Sequence, residues 1–345
     1  MTRKIMVGGV LIGGGAPVTI QSMCNTKTDD VAATVAQIHD LEAEGCEIVR
    51  LAVPDFSSAQ AIARIKERIQ IPLVADIHFD WRLALEAVAA GADKIRINPG
   101  NIGGPDKVQA VAEACDSKGV PIRIGVNGGS LEDSILRKYG GVTADALVES
   151  ALKEIALLEQ FDFKNICVSV KTSSVPMTIE AYSMLSRKTD YPLHLGVTES
   201  GTPKMGLLKS AMGIGGLLCM GIGDTIRVSL TASPVAEVRA AKQILQAAGL
   251  RKTGPELISC PTCGRTRIDL IRLANEVERR LEGCGKNITV AVMGCVVNGP
   301  GEAAAADVGI AGGVGTGILF RKGKKLKTVP QDQLVDQLME LIESL

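Results

Sequence analysis

A regular alternation of short aliphatic runs and longer Ala-rich amphipathic segments, between residues 18 and 250, constrains the fold most strongly. Such alternation is typical of repeated βα units around a parallel sheet. The pattern predicts eight strands: Val18–Ser22, Glu47–Ala52, Leu73–Asp76, Lys94–Asn98, Ile122–Val126, Asn165–Val170, Leu193–Val197 and Thr225–Ser229. Eight strand–helix units that close on themselves predict a TIM (β/α)₈ barrel, for which about 250 residues is a typical length. An open doubly wound sheet is the alternative, although eight units exceed what such sheets usually carry.

Capping and turn residues mark where several of the helices begin and end. The segment DDVAATVAQIHDLEAEG has Asp29 near its cap, and SPVAEVRAAKQILQAAG begins at Ser233 and ends at Gly249. The Gly-rich stretch from Val10 to Pro17 predicts a hairpin ahead of the first strand. We expect this hairpin to close the amino-terminal end of the barrel.

A second, smaller α/β domain is predicted after residue 250, so that the chain divides into a barrel domain (1–250) and a carboxyl-terminal domain (251–345). The segment RKTGP is the predicted linker between them. The elements expected beyond it are strand Glu256–Ser259, helix Thr266–Leu281, strands Ile288–Met293 and Asp307–Ala311, a hairpin across Arg321–Lys327 and a closing helix Gln331–Leu345.

Composition argues against several classes of protein. Lys+Arg and Asp+Glu are balanced at 38 each, and aromatic residues make up only 3%, whereas nucleic-acid binding needs a basic surface and rings for stacking. The longest weakly polar run, from Ala211 to Gly223, is shorter than the roughly 20 residues of a membrane-spanning helix. Nine cysteines without regular spacing indicate thiols that stay reduced. We therefore expect a soluble, cytoplasmic protein with no nucleic-acid or membrane partner.

Polar residues follow or end nearly every predicted barrel strand, where the active sites of such barrels lie. They are Ser22, Asn25, Arg50, Asp76, His78, Arg96, Asn98, Arg123, Asn127, Ser169, Lys171, His194, Glu199, Arg227 and Ser229. Five of them are cations, which would repel one another around one cavity unless an anion fills it, and Arg suits bidentate contacts to phosphate oxygens. The sequence therefore predicts a ligand with more than one phosphate charge. Asp76, His78 and Glu199 are either proton donors and acceptors or groups that orient a neighbouring Arg.

Three cysteines of the carboxyl-terminal domain form a metal-binding pattern. Cys260 and Cys263 are separated by two residues, and Cys295 follows in GCVVNGPGE, a spacing that suits a metal or an iron–sulfur cluster. Structural zinc, with Cys284 as a fourth ligand, and a redox dithiol are the alternatives. If Glu302 completes the set, the Gly-Pro-Gly turn before it returns a carboxylate to the metal that Cys295 holds.

The motifs RIGVNGGS, VSVK, LHLGVTE, GIGDTIRVSL, SCPTCGRT and GCVVNGPGE resemble, in this order, those of the bacterial 4-hydroxy-3-methylbut-2-enyl diphosphate synthase family of the methylerythritol phosphate isoprenoid pathway. The resemblance covers essentially the whole chain. It implies a [4Fe-4S] cluster held by Cys260, Cys263, Cys295 and Glu302. It also implies an iron–sulfur oxidoreductase that reduces 2-C-methyl-D-erythritol 2,4-cyclodiphosphate by two electrons, opens its ring and releases one hydroxyl as water.

The resemblance also assigns substrate contacts. Glu199 is the implied acid near the reacting carbons, and Asp76 and His78 match the family pattern. The implied diphosphate-binding positions are Arg50, Arg96, Arg123, Asn127, Lys171, Arg227 and Ser229. Each role is an expectation carried by the resemblance.

The same resemblance implies a head-to-tail homodimer with the active site between chains, and an electron donor that is a flavodoxin, a ferredoxin or a pyridine-nucleotide reductase chain. Two other classes of function stay open at this point. One is a non-enzymatic electron carrier with a ferredoxin-like module. The other is a metal-assisted barrel enzyme of the aldolase or pterin-binding sort, with zinc in the carboxyl-terminal domain.

Overall fold

The computed structural model describes residues 1–98, 100–295, 301 and 303–345. Within it the chain divides into two compact units, Met1–Arg251 and Lys252–Leu345. None of the helices in the described residues is long and apolar enough to cross a membrane.

The first unit is a barrel of eight parallel strands, which confirms the predicted TIM-barrel class. Its strands are β3 Thr19–Met23, β4 Ile48–Ala52, β5 Leu73–Asp76, β6 Lys94–Ile97, β7 Ile122–Asn127, β8 Ile166–Lys171, β9 His194–Leu195 and β10 Thr225–Ile226. They are paired in the order β8-β7-β6-β5-β4-β3-β10-β9. A parallel bridge between Val168 and Leu193 joins the two ends of this sheet. The open doubly wound alternative is therefore wrong.

The last two barrel strands are shorter than predicted. β9 stops before Gly196, and β10 stops before Arg227, although the Arg227 amide still donates to the Leu195 carbonyl at 3.0 Å. Gly196 has no side chain, and a Cβ there would meet the Lys171 ammonium and the Arg227 carbonyl. The regular β-ladder thus ends at Gly196, where the backbone leaves space for the Lys171 side chain.

Ten helices of the first unit are described. They are α1 Val31–Glu44, α2 Phe56–Lys66, α3 Trp81–Ala89, α4 Pro105–Lys118, α5 Asp133–Tyr139, α6 Ala144–Glu159, α7 Val175–Lys188, α8 Pro203–Ser210, α9 Gly216–Cys219 and α10 Pro234–Ala247. Asp30, one residue after the predicted cap, accepts a hydrogen bond from the Ala33 amide and begins α1. Ser233 caps α10 as predicted, by accepting from Ala236 N.

The amino-terminal hairpin lies earlier in the chain than predicted. Strands β1 (Ile5–Val7) and β2 (Val10–Ile12) pair antiparallel, with Gly8 at φ +55° in the turn between them. The prediction of Val10 to Pro17 was wrong because the later glycines follow the hairpin rather than form its turn. The hairpin does close the amino-terminal end of the barrel, through one apolar cluster: Ile5, Val7, Ile12, Ile48, Val74 and Cys167.

The main apolar core lies between the outer face of the barrel strands and the surrounding helices. Ile20 and Ile95 on the strands belong to one buried cluster with Ile38 and Leu245 on the helices. Each such side chain contributes about 1.5–3 kcal/mol when fully buried. Because successive strand residues point to opposite faces, the residues that alternate with these aliphatic side chains point into the barrel. Many of those inward residues are charged.

The second unit is a five-stranded sheet with two helices described. Its elements are β11 Glu256–Ser259, α11 Leu270–Leu281, β12 Thr289–Met293, β13 Val308–Gly312, β14 Thr316–Arg321, β15 Lys324–Pro330 and α12 Leu334–Glu343. β11, β12 and β13 are parallel, and β14 and β15 continue antiparallel. α11 begins four residues later than predicted, because the Asp269 side chain accepts from Arg272 N and caps it there.

Candidate active site

Charged residues of neighbouring strands meet at the carboxyl-terminal end of the barrel. Asp76 on β5 is paired in register with Arg96 on β6, and Arg96 is paired with Arg123 on β7. Asn127 at the end of β7 is paired with Lys171 at the end of β8. All of these side chains except that of Asn127 are buried. The structure therefore brings these predicted residues together on one inner surface.

Asp76 is the carboxylate around which two of the cations are arranged. Its Oδ1 accepts from Arg96 Nη1 at 3.2 Å, and its Oδ2 lies 3.6 Å from Arg50 Nε. Burial alone would raise the pKa of this carboxyl, but Arg50 and Arg96 outweigh burial and lower the pKa to about 2. Asp76 is thus a fixed negative charge that orients two guanidinium groups. Asp76 was predicted either to transfer a proton or to orient a neighbouring Arg, and the geometry favours the second role.

His78 lies at the edge of this arrangement. Its Nε2 is 3.7 Å from Asp76 Oδ2, and about half of its side chain is exposed. The imidazole is thus a half-exposed neighbour of the Asp76 carboxylate at the end of β5.

Met23, at the end of β3, lies between two guanidinium groups. Arg50 donates to the Met23 sulfur from Nε at 3.1 Å and from Nη2 at 2.8 Å, and Arg227 Nη1 lies 3.6 Å from the same sulfur. Arg227 also donates from Nη2 to Glu237 Oε2 at 3.4 Å. A thioether is a weak acceptor and brings no charge, so it holds the guanidiniums without neutralising them.

Arg123 and Lys171 lie deeper. Arg123 is 1% exposed and donates from Nη1 to Ser169 Oγ at 2.6 Å; burial and then Arg96 lower its pKa to about 10. Burial, followed by the charges of Arg123 and Arg50, lowers the pKa of Lys171 well below its usual value. Within the described residues no carboxylate lies at ion-pair distance from Lys171. An anionic ligand at the mouth would restore its positive charge.

Two glycines make room for these cations. A Cβ on Gly125 would lie 2.8 Å from Arg96 Nη2, and a Cβ on Gly196 would lie 2.6 Å from Lys171 Nζ. Real Cβ atoms do not come this close to other heavy atoms. The two long side chains therefore occupy space that only glycine leaves free.

The remaining predicted residues lie in the loops of the mouth. Glu199 follows β9, is exposed, and has φ +52°, a left-handed conformation that is uncommon for a side chain of this kind. Ser229 follows β10, is half-buried, and its carbonyl accepts a hydrogen bond from the Ser200 hydroxyl. When the Asn127 amide is oriented so that its nitrogen donates to the Val126 carbonyl, its oxygen accepts from Arg96 Nη2 at 3.2 Å.

Two of the predicted cluster ligands lie at one edge of the second sheet. Cys260 directly follows β11 and Cys295 follows β12, and these two strands are parallel neighbours. The Gly294 amide, next to Cys295, donates to Cys260 Sγ at 3.2 Å. Amide donors of this kind stabilise a thiolate or a metal-bound sulfur.

Cys263 is exposed, and hydrogen bonding from the Arg265 backbone lowers the pKa of its thiol. Glu302 lies outside the described residues. In the part of the chain that is described, no group of three or more His, Cys, Asp or Glu side chains lies close enough to hold a metal ion.

Cys284, the fourth ligand of the zinc alternative, lies elsewhere. A Cβ on Gly254, just before β11, would lie 3.5 Å from the Cys284 carbonyl. Cys284 is therefore at the amino-terminal edge of the sheet, opposite the edge at which Cys260 follows β11. This position does not suit a shared zinc site.

Family models match almost the whole chain. The GcpE TIM-barrel domain matches residues 2–242, and the GcpE protein C-terminal domain matches residues 256–344.

The chain belongs to the GcpE family.

Its curated relatives in the GcpE family include two that bear the name 4-hydroxy-3-methylbut-2-en-1-yl diphosphate synthase (flavodoxin). The protein from Caldanaerobacter subterraneus subsp. tengcongensis is 60% identical over 345 residues, which covers 100% of this chain and 97% of the relative. The protein from Clostridium perfringens is 59% identical over 344 residues, which covers 100% and 99%. These matches confirm the family resemblance of the motifs.

Two solved structures align with about 70% of the chain. The 7,8-dihydropteroate synthase from Vibrio fischeri aligns with a TM-score of 0.52 at 14% identity, over 71% of this chain and 97% of that one. A phospho-2-dehydro-3-deoxyheptonate aldolase from Thermotoga maritima aligns with a TM-score of 0.51 at 13% identity, over 72% of each chain. At this identity the likeness shows the fold and nothing about activity.

Sequence reasoning missed several residues that shape the mouth in this GcpE family chain. Met23, Gly125, Gly196 and Glu237 each lie against at least one of the predicted cations. Alternation would have found the two glycines, since Gly125 on β7 and Gly196 in the predicted strand Leu193–Val197 alternate with outward aliphatic residues. Nothing in the sequence indicates that the Met23 sulfur accepts from Arg50, because that contact joins residues of two strands.

Proposed function

We propose that this GcpE family chain catalyses the two-electron reductive ring opening and dehydration of 2-C-methyl-D-erythritol 2,4-cyclodiphosphate to 4-hydroxy-3-methylbut-2-enyl diphosphate, in the cytoplasm, as a step of isoprenoid precursor biosynthesis. Full-length similarity to relatives that bear the name of this synthase supports the proposal. The observation that carries it is the set of cations at the barrel mouth, of which several are buried and two share the single carboxylate of Asp76.

The cations bind the diphosphate in this proposal. Arg50 and Arg96 keep a small exposed fraction, 9% and 8%, through which they reach a ligand at the mouth. The proposed diphosphate-binding residues are Arg50, Arg96, Arg123, Asn127, Lys171, Arg227 and Ser229. Asp76 orients the guanidinium groups of Arg50 and Arg96, and His78 adds one more polar side chain at the edge of this set. Arg side chains held in place before the ligand arrives lose little freedom on binding it.

The same cations act in the bond-breaking step. When the ring opens, a carbon–oxygen bond to phosphate breaks and negative charge develops on the diphosphate. Cations fixed in a water-poor site stabilise such charge without reorganising. Overall, the substrate takes up two electrons and two protons, one hydroxyl leaves as water, and the diphosphate remains on the product. We assign Glu199, on the exposed loop after β9, as the acid that supplies a proton to the reacting carbons or the departing hydroxyl.

Cys260, Cys263, Cys295 and Glu302 would hold the [4Fe-4S] cluster. The positions of Cys260 and Cys295 at one sheet edge, and the amide that donates to the Cys260 sulfur, fit this group. When bound, the cluster supplies electrons and a Lewis-acidic iron. A carboxylate ligand is harder and more weakly held than a fourth thiolate, which suits a catalytic rather than a purely electron-carrying site.

We further propose a flavodoxin as electron donor and a homodimer as the active form. The names of the relatives support the donor, since they specify flavodoxin. The division of the proposed substrate and cluster ligands between two separate units supports the dimer, in which the second unit of one chain completes the barrel site of its partner.

The function is tested on the anaerobically purified full chain. Iron, sulfide, the visible spectrum and the EPR spectrum identify the cluster, and chromatography with mass spectrometry follows the product formed with dithionite and a viologen. About four irons per chain with turnover is the expected result. Cys260→Ser and Glu302→Ala should lose activity, whereas Cys219→Ser, on the surface of the barrel unit, should keep it. A full cluster without substrate consumption would favour the electron carrier, and zinc in place of iron would favour the metal-assisted barrel enzyme.

The dimer is tested by complementation. Cys260→Ser removes a cluster ligand and Lys171→Met removes a diphosphate contact, so each homodimer should be inactive. In a randomly mixed population, half of the dimers are mixed and each carries one intact site, which restores about a quarter of the wild-type activity. Mixing that restores nothing, or a monomer that stays active at nanomolar dilution, would contradict the shared site.

A further inference from the structure

The interior of the barrel below the mouth is polar. Barrels of this class are usually filled with branched aliphatic side chains. Here the inward positions of five strands carry polar groups instead: Thr19 and Gln21 on β3, Lys94 on β6, Arg123 on β7, His194 on β9 and Thr225 on β10. We refer to the space between these six residues as the inner chamber.

The inner chamber is closed to solvent. Lys94, His194 and Thr225 are each 0% exposed, and Arg123 and Gln21 are 1% exposed. At the amino-terminal end, the apolar cluster formed by the β1–β2 hairpin and the ends of β4, β5 and β8 seals it. A ligand that binds the polar groups of the inner chamber must therefore be enclosed in the folded protein.

Seven polar atoms of the residues around the inner chamber lack a hydrogen-bond partner within the described residues. They are Thr19 Oγ1, Gln21 Nε2, Gln21 Oε1, Lys94 Nζ, Arg123 Nε, Arg123 Nη2 and His194 Nε2. Buried polar atoms in folded proteins are almost always paired, because each unpaired one costs about 1–3 kcal/mol. So many orphaned atoms in one enclosed space indicate an occupant.

The orphaned atoms are mainly donors. Lys94 Nζ, both Arg123 nitrogens and Gln21 Nε2 can only donate, the Thr19 hydroxyl and His194 Nε2 can donate, and Gln21 Oε1 alone is restricted to accepting. An occupant that accepts several hydrogen bonds matches this set better than one that both donates and accepts equally.

The charge balance points in the same direction. The charged or titratable groups that act on Lys94 are the Cys167 thiol and the guanidiniums of Arg123 and Arg50, with no carboxylate from the described residues among them. Asp76, a carboxylate of the mouth, is already held by Arg50 and Arg96. A buried ammonium without a counter-charge is strongly unfavourable.

The substrate does not supply that counter-charge. Lys94 precedes Arg96 by two residues on β6 and therefore lies about 6–7 Å farther from the mouth along the strand. Lys94 is 0% exposed, whereas the buried Arg96 keeps 8% of its surface exposed. The diphosphate thus meets Arg96 and leaves Lys94 unsatisfied.

We propose that the inner chamber binds one small inorganic monoanion of the size of chloride, held chiefly by the Lys94 ammonium and by Arg123 Nε, with water completing the shell, while Arg123 Nη2 stays available to the diphosphate. The anion keeps Lys94 charged beneath the mouth and offsets the mutual repulsion of the cations above it. Burial lowers the pKa of Lys94 to about 8, and an anion beside the ammonium would raise that pKa again. Water alone would satisfy hydrogen bonds but leave the charge unbalanced.

Bromide identifies the anion directly. The full-length holoenzyme is purified and crystallised with bromide as the sole halide, because a closed chamber exchanges its occupant slowly. Anomalous scattering at the bromine edge should show one peak inside the barrel, in contact with Lys94 Nζ. Crystals grown under these conditions that show only water in the chamber would overturn the proposal.

Thermal unfolding gives a second readout in solution. The wild-type holoenzyme should melt about 2–4 °C higher in potassium chloride than in potassium gluconate at equal ionic strength, since an anion bound only to the folded state stabilises it. Lys94→Met, which keeps the length of the side chain and removes its charge, should melt equally in both salts. Lys188→Met, on the exposed end of α7, should keep the wild-type difference. A chloride effect that persists in Lys94→Met would place the anion elsewhere and contradict the proposal.

Discussion

The Arg96 side chain passes directly over Gly125 of the neighbouring strand. Arg96 Nη2 donates to the Gly125 carbonyl at 3.0 Å, while Nη1 donates to Asp76 at 3.2 Å. A Cβ on Gly125 would lie 2.8 Å from Nη2 and closer still to Nε. The guanidinium of Arg96 is therefore fixed by a carboxylate on one side and by bare backbone on the other. The position of the Arg96 guanidinium therefore requires that residue 125 has no Cβ. The geometry of the proposed diphosphate site depends on this position.

Gly125→Ala should displace Arg96 and weaken substrate binding. We expect KM for the cyclodiphosphate to rise about tenfold, which corresponds to the loss of one well-placed charged contact. Steady-state kinetics of the loaded enzyme measure it. Gly9→Ala is the matched control, because a Cβ at Gly9 meets nothing within 4 Å and the residue lies in the amino-terminal hairpin. Equal KM values for both variants would show that Arg96 tolerates the methyl group.

Asp76→Asn should weaken both the fold and the site. The substitution removes the charge that offsets Arg50 and Arg96 at a position that is 3% exposed. Breaking a buried ion pair on one side typically costs about 3 kcal/mol or more. Chemical denaturation of the wild type and the variant measures the loss, and inorganic pyrophosphate should recover part of it by supplying negative charge. An unchanged denaturation midpoint would contradict the role of Asp76 as the shared counter-charge.

Met23→Leu should loosen Arg50 and Arg227 without disturbing the core. Leucine keeps the approximate volume and removes the sulfur that accepts from Arg50 at 2.8 and 3.1 Å. We expect KM to rise by about two- to fivefold with kcat nearly unchanged, since hydrogen bonds to sulfur are weak. Met6→Leu, at an exposed position in β1, is the control and should match the wild type. A drop in kcat without a change in KM would show instead that the sulfur acts on the reaction step.

Glu154, on the inner face of α6, should make stability depend on pH. Burial, and then the neighbouring Glu132 carboxylate, raise the pKa of Glu154 to about 8, and its Oε2 has no hydrogen-bond partner within the described residues. The folded protein keeps this proton up to about pH 8, whereas the unfolded chain loses it near its ordinary value. The contribution of Glu154 to stability is thus fully present below about pH 4.5. It is lost as the pH rises through 8, by up to about 1.4 kcal/mol per pH unit.

Melting temperatures measured from pH 5.5 to 8.5 check this dependence. The wild type should lose stability steadily over the range. Glu154→Gln, which cannot ionise, should lose much less stability. Glu180→Gln, at an exposed position of α7, should follow the wild type. Parallel curves for wild type and Glu154→Gln would contradict the raised pKa.

Much of the fold was predictable because each βα unit carries its own local signal. Aliphatic runs located all eight barrel strands, and β5 was placed at its observed bounds, Leu73–Asp76. Errors occurred where tertiary contacts decide the boundary. β9 ends before Gly196, against which the Lys171 ammonium lies, and the amino-terminal hairpin turns at Gly8 rather than within the later glycines.

The candidate site was predictable in its residue types and incomplete in its contacts. Strand-end position predicted that Arg96 and Arg123 face one cavity, and the two residues are register partners on β6 and β7. It could not predict that Met23 accepts from Arg50 or that Glu237 on α10 holds Arg227, because these contacts join residues far apart in the chain. Lys94 escaped notice since sequence alone does not show which inward polar groups lack a partner.

Electron stoichiometry tests the central claim most directly. The anaerobic holoenzyme is given a known amount of reduced viologen and excess 2-C-methyl-D-erythritol 2,4-cyclodiphosphate, and the viologen oxidised is compared with the 4-hydroxy-3-methylbut-2-enyl diphosphate formed. A two-electron reduction predicts two one-electron viologens oxidised for each product molecule. Viologen oxidation without this product, or with no loss of cyclodiphosphate, would contradict the assignment.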